Sequence, residues 1–229
     1  MLLYLKGIQV ALQGVGATLG VTAIALVIGI LFGLLLALMK MSSNIILKAI
    51  STVYIEVIRG APLIVQALIM AYGVPQLLQS HGIQFKWPYL VIPAIIVCGG
   101  NSAAYVAEVI RSGIQAVPKG QMEAARAIGM SRRKAMRLII IPQALKIVLP
   151  TFGNEFVSLI KETSVLSYVG VVEILRRGAL WNAATFNTFE AYVGVAVVYL
   201  LLTVPASNLI RALEKKMATD KPVSKEGAA

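Results

Sequence analysis

Hydrophobic residues gather into long blocks separated by short polar or basic stretches, a pattern of buried or lipid-facing helices rather than of alternating strands. The first block runs from about Gly16 to Met39, with Thr18 and Thr22 as small polar interruptions, and ends at Lys40. It exceeds the roughly 20 apolar residues that cross a bilayer, and it is longer than the core of a cleaved signal peptide, so it reads as a retained first span. The preceding Met1–Gly14, apolar around a lone Lys6, is expected at the membrane interface.

The second block extends from about Ile50 to Leu78, carries the insert Glu56–Arg59 and Pro62, and is expected to end at Gly73–Pro75. The third, from Tyr89 to about Val109, contains Pro93 and the string Gly99-Gly100-Asn101-Ser102. Such breaks survive at membrane depth only where other helices or a water-filled cavity satisfy the backbone, so this helix is expected to face one or the other. The fourth apolar region, Leu138–Ile160, is interrupted by Pro142 and Pro150, and the last runs from about Ala191 to Ile210, with Pro205 near its end. The tail from about 211 to 229 is polar and reads as a frayed helix followed by disorder.

Composition agrees with this pattern. Of 229 residues, 58% are hydrophobic and 14% charged, about half the charged share of a soluble domain. The whole chain, 1–229, therefore reads as one all-α integral membrane domain with five transmembrane helices. One cysteine, Cys98, excludes an internal disulfide, and one histidine, His81, leaves little material for a metal centre, so no metal is expected. No P-loop, HExxH or GxSxG string occurs, so the chain itself is expected neither to bind ATP nor to act as an enzyme.

The formal net charge of +11 suggests nucleic acid only if its distribution is ignored. Five spans put the termini on opposite sides. With the N-terminus outside, fifteen basic residues gather on the cytoplasmic side and four, Lys6, Lys86, Arg176 and Arg177, lie outside, leaving Arg59 and Lys161 at intermediate depth. The excess of inner positive charge predicts N-terminus out and C-terminus in, and no nucleic-acid partner is expected.

The loop of about 117–137 has helix punctuation at both ends, with Pro118 suited to a first turn and Gly129 to the position after a helix. Ser131 is suited to cap a second segment, Arg132 to Ile141, which Pro142 is expected to interrupt. Ala124, Ala125 and Ile128 form a small apolar face on the first helix, with Lys119, Glu123 and Arg126 available for orienting contacts. Spacing alone suits either a docking helix or an interfacial anchor.

The string Glu123-Ala124-Ala125, followed by Gly129 and Ile141-Pro142, resembles the EAA motif of ATP-binding-cassette importer permeases. Glu56-Val57-Ile58-Arg59-Gly60-Ala61-Pro62-Leu63, Ala104-Tyr105-Val106-Ala107-Glu108-Val109-Ile110-Arg111, Lys119-Gly120-Gln121 and Lys161-Glu162-Thr163-Ser164 are similar to the polar amino-acid permeases of the histidine, glutamine and arginine importers, over about Gly7 to Glu214. Ala61 departs from the threonine frequent in that family. The resemblance implies a type I ABC importer permease fold and a cytoplasmic coupling helix involving Gly120, Glu123, Ala124, Ala125 and Gly129. It also implies a separate ATPase subunit carrying ATP and Mg, an extracytoplasmic amino-acid-binding protein, and a second permease subunit, a homodimer before a heterodimer. The location implied is a bacterial inner membrane.

Ionisable groups within a bundle point to a pathway or to pairing. On the fourth span, Asn154 and Ser158 share a face at i,i+4, as do Ser158 and Glu162, with Glu155 beside them. This face suits a substrate path in which Glu155 meets a cationic side chain and Asn154 the head group, or an interhelical network including Lys161 and Glu162. Asn101, Ser102 and Tyr105 on the third span are second lining candidates, and equally suit helix packing. Glu56 with Arg59 and Glu108 with Arg111, each at i,i+3 near the cytoplasmic ends of spans two and three, are expected to form structural ion pairs or a gate latch rather than to bind substrate. An ion-coupled secondary amino-acid transporter is the alternative reading, since broken helices with internal charge also suit it.

Overall fold

The computed structural model describes residues 1–218, and among these all regular structure is helical. Lys221 and Lys225 of the polar tail lie outside the described residues. Five segments are long and apolar enough to cross a membrane: Leu2–Lys40, Leu63–Ser80, Val91–Gln115, Arg132–Val169 and Thr188–Lys216.

The first comprises two helices, α1 (Leu2–Leu12) and α2 (Val15–Lys40), joined at Gln13 and Gly14. Helix α1 is no loose interfacial segment. Gly7 lies against the backbone of Glu190 and the ring of Trp181, Gly194 lies against Gly7, and Gly14 lies against the backbone of Glu173 and Ile174. Its other face, with Leu2, Leu5 and Leu12, stays exposed and apolar.

The second crossing is kinked. Helix α3 (Ile45–Gly60) starts at Asn44, whose side chain accepts from the amides of Ile46 and Leu47, and it stops at Ala61-Pro62. The chain resumes as α4 (Leu63–Leu68), passes through a π-helical turn (Ile69–Gly73) and ends as α5 (Val74–Ser80). Gly73–Pro75 therefore does not end this helix. The π-turn frees the ladder just upstream of Pro75, so the missing N–H is absorbed, and the exit comes at His81-Gly82, where Gly82 takes φ +81°. Trp87 donates its indole N–H to the Met70 carbonyl at 2.9 Å, tying the following loop to this turn.

Helix α6 (Val91–Gln115) runs beyond the expected Val109 and packs along α2. Gly29 and Gly33 of α2 meet Ser102, and Ala103 with Val106, so the two backbones approach through a small-xxx-small contact. One core unites Val21 and Ala25 of α2 with Ala67, Ala94, Val97 and Leu159. A second, at the Lys40 end, unites Leu36 and Ala37 with Ile55, Ala103 and Ala107. Thus α3 and α4–α5 cover successive levels of the same α2–α6 pair.

After α6 come α7 (Lys119–Ala127) and α8 (Arg132–Ala135), the latter capped by Ser131. A π-turn (Met136–Ile140) then leads straight into α9 (Ile141–Glu162). Pro142 does not interrupt the segment, again because a π-turn ends two residues before the proline. The chain continues through a 3-10 segment (Thr163–Val169), α10 (Ile174–Thr185) and α11 (Thr188–Ala218), which carries Pro205 inside it. Helix α10 lies where sequence suggested only a loop. Its cap is Glu173, fully buried, whose carboxylate accepts from the amides of Leu175 at 2.8 Å and Arg176 at 2.7 Å and from the Tyr199 hydroxyl at 2.8 Å. Burial pushes the Glu173 carboxyl above the usual carboxylate range, and these hydrogen bonds oppose that rise.

Candidate functional site

The break between α3 and α4 opens a cavity of about 370 Å³ lined by Arg59 through Leu63 together with Asn101, Tyr105, Glu162 and Val165. Its volume suits a small polar molecule. Four elements form it: the end of α3, the start of α4, the middle of α6, and the end of α9 with the turn that follows. Larger clefts open elsewhere, of about 580 Å³ beside Arg132–Ile141, about 520 Å³ around Val117–Lys119 and about 510 Å³ on the apolar face of α3, but none of these joins groups of opposite charge.

The break is held by Gln66, a residue that periodicity did not single out. Its Nε2 donates to the Ile58 carbonyl at 2.8 Å and to the Ala61 carbonyl at 2.9 Å, supplying donors where the helical ladder ends. The Tyr54 hydroxyl donates to the Gly100 carbonyl at 3.0 Å, fixing α3 against α6 just below the cavity wall. The Arg59 guanidinium lies 5.1 Å from the centre of the Tyr105 ring, a cation–π distance.

The structure divides the sequence candidates. Asn101 and Tyr105 line the cavity. Ser102 does not: it is fully buried, against Gly29 of α2, because neighbouring helical residues point about 100° apart. Asn154 is exposed, and Glu155 and Ser158 are half-buried, on α9 one to two turns before Glu162 and outside the cavity lining. The expected Glu56–Arg59 pair is absent among the described residues, since Glu56 stays exposed while Arg59 turns to Tyr105. The Glu108–Arg111 pair forms, with Arg111 Nε donating at 2.9 Å, and Lys40 of α2 joins it at 3.1 Å.

The second candidate surface is α7. Gly129 takes φ +85°, with its amide donating to the Arg126 carbonyl at 3.0 Å and the Met130 amide donating to the Ala125 carbonyl at 3.1 Å. These are the paired bonds of a Schellman ending. Ala125 is buried, and half-buried Met122 packs into the core of Val117, Ile140 and Ala144, whereas Gly120, Glu123, Ala124 and Ile128 are exposed. Ala124 and Ala125 thus serve different faces rather than the shared one expected, for the same 100° reason. Among the described residues no cluster of His, Cys, Asp or Glu could hold a metal ion.

Residues 29–219 match the family described as binding-protein-dependent transport system inner membrane component. The chain is 35% identical over 209 residues to the arginine transport system permease protein ArtQ of Bacillus subtilis (strain 168), covering 91% of this chain and 93% of the relative. It is 37% identical over 205 residues to the putative glutamine transport system permease protein GlnP of Rickettsia bellii, covering 90% and 91%. Among solved structures, an amino acid ABC transporter crystallised with histidines matches with a TM-score of 0.85 at 41% identity, covering 93% of this chain and 96% of that one. The MetNI methionine ABC transporter, in an inward-facing conformation, shares the fold with a TM-score of 0.67 at 19% identity, over 95% of this chain and 97% of that one. The helical crossings, the broken second span and these matches agree: the chain belongs to the family of binding-protein-dependent transport system inner membrane components and is an integral membrane permease.

Proposed function

We propose that this chain is the permease subunit of an ATP-driven importer of polar amino acids, with a preference for cationic ones. The observation that carries the reading is the cavity at the α3–α4 break, where Arg59, Asn101, Tyr105 and Glu162 converge in a chain whose relatives are named as amino-acid permeases. A zwitterion needs groups of both signs, and the cavity offers both. Seven residues of helix separate Glu155 from Glu162, about 10 Å of rise. A long cationic side chain extending from the cavity along α9 approaches Glu155, and Asn154 and Ser158 flank that route.

The outer face of α7, with Gly120, Glu123 and Ala124, docks on a separate ATPase that holds ATP and Mg. Ala125 anchors the helix from beneath and Gly129 ends it. The N-terminus is outside and the C-terminus cytoplasmic, as the distribution of basic residues supports. An extracytoplasmic binding protein delivers substrate to the outer side, and a second copy of the chain closes the path. ATP binding moves the paired α7 helices and favours the outward-open form; hydrolysis resets it. Only a difference in nucleotide affinity between the two forms can drive this shift. The ion-coupled alternative finds no support among the matched relatives.

The test is reconstitution with the ATPase and binding protein, followed by uptake of labelled arginine, glutamine and histidine. Wild type takes up amino acid only with ATP, and Glu123→Lys loses ATPase association and uptake together. Glu155→Gln lowers arginine uptake relative to glutamine. Uptake that follows a proton or sodium gradient without the ATPase overturns the proposal.

A further inference from the structure

We infer that Arg59 is the receptor for the substrate's α-carboxylate, an inference that rests on the amino-acid permease reading. Arg59 is the cation lining the cavity, and Glu162 is the anion lining it. The two form no ion pair with each other. The Arg59 side chain is exposed, donates no hydrogen bond to any described residue, and has its guanidinium carbon 5.1 Å from the centre of the Tyr105 ring. A cation–π contact leaves the guanidinium's N–H donors unspent, and they match a carboxylate as a two-pronged fork. An unpaired guanidinium beside the middle of α6 is unfavourable facing lipid and is expected only where a polar path passes.

Its backbone is fixed for the purpose. Gln66 holds the carbonyls of Ile58 and Ala61, on either side of Arg59, so the last turn of α3 cannot unwind freely. The space around Gly60 is open, which leaves room for a ligand at the end of the helix. Lys161, the other cation on this level of α9, is exposed like Arg59 but lies outside the cavity lining. An amino acid seated here puts its carboxylate on Arg59 and its ammonium toward Glu162 and the Asn101 amide oxygen.

The inference is tested with the permease–ATPase complex in lipid nanodiscs, without binding protein, so that recognition belongs to the permease. Labelled arginine is displaced by unlabelled arginine, by its decarboxylated amine and by its methyl ester. In wild type the amine and ester bind on the order of 10- to 100-fold more weakly than arginine, as expected for losing hydrogen bonds to a charged group. Arg59→Gln brings the three ligands to within about threefold of one another by weakening arginine alone, whereas Arg59→Lys keeps part of the discrimination. Lys161→Gln keeps it in full, and the thermal midpoint of each variant monitors folding. An unchanged arginine-to-amine ratio in Arg59→Gln, or loss of the ratio in Lys161→Gln, overturns this inference and leaves the permease reading standing. Failure of wild type to bind any amino acid overturns both.

Discussion

Two glutamate–arginine pairs at identical spacing meet opposite fates. Glu108 and Arg111 lie within α6, which continues past both, so the side chains stay on one face and bond. Lys40 at the end of α2 adds a second cation, making a three-residue clasp across two helices. Glu56 and Arg59 lie in the last turns of α3, which stops at Gly60. There the aromatic face of Tyr105 competes for the guanidinium and wins. Spacing decides which residues can meet, and what lies across from them decides whether they do.

The comparison can be broken or sharpened experimentally. The largest effect is expected from Arg59→Glu, which turns the cavity wholly acidic: uptake falls about 100-fold or more while ATPase association is retained, measured by co-purification and labelled uptake. Next is Gln66→Ala, which removes both donors at the break; uptake falls roughly 10-fold as Arg59 loses its fixed position. Tyr105→Leu, which deletes the ring beneath Arg59, weakens substrate binding about 3- to 10-fold, and Tyr105→Phe keeps wild-type affinity because the ring is what the guanidinium meets. Glu108→Gln loosens the clasp, and uptake stays within about threefold while the thermal midpoint drops by roughly 2–6 °C. Glu56→Gln changes neither uptake nor midpoint measurably, since an exposed unpaired carboxylate contributes within about 0.5 kcal/mol. A large loss in Glu56→Gln, or none in Arg59→Glu, would reverse the contrast.

The five crossings, the Gly129 ending and the Ser131 cap were legible in the sequence because each depends on local composition or on one residue's backbone preference. Helix ends adjoining Pro75 and Pro142 were misjudged. A proline disrupts an α-ladder, yet a preceding π-turn absorbs the defect, and no residue type marks such a turn. Helix α10 was missed because its cap is a buried glutamate rather than the shorter side chains common there, and because its third partner, Tyr199, lies 26 residues away. At the candidate site, Asn101 and Tyr105 were legible from polarity at depth. Ser102 was grouped with them because polarity does not report which way a side chain points, and Arg59 was assigned to its near neighbour because Tyr105 lies on another helix.

The glycine contact between α2 and α6 has a mechanical consequence. With Gly29 and Gly33 of α2 seated directly against Ser102, Ala103 and Val106 of α6, only one helix contributes side chains to the seam, so this pair has little to shear and suits the part of a stator. Asn101 and Tyr105 ride on it, whereas Arg59 and Glu162 are carried by the ends of α3 and α9. In the proposed cycle, a stroke that displaces the ends of α3 and α9 moves the two charges relative to this polar wall, and a passenger is released by separating the jaws rather than by reshaping the frame.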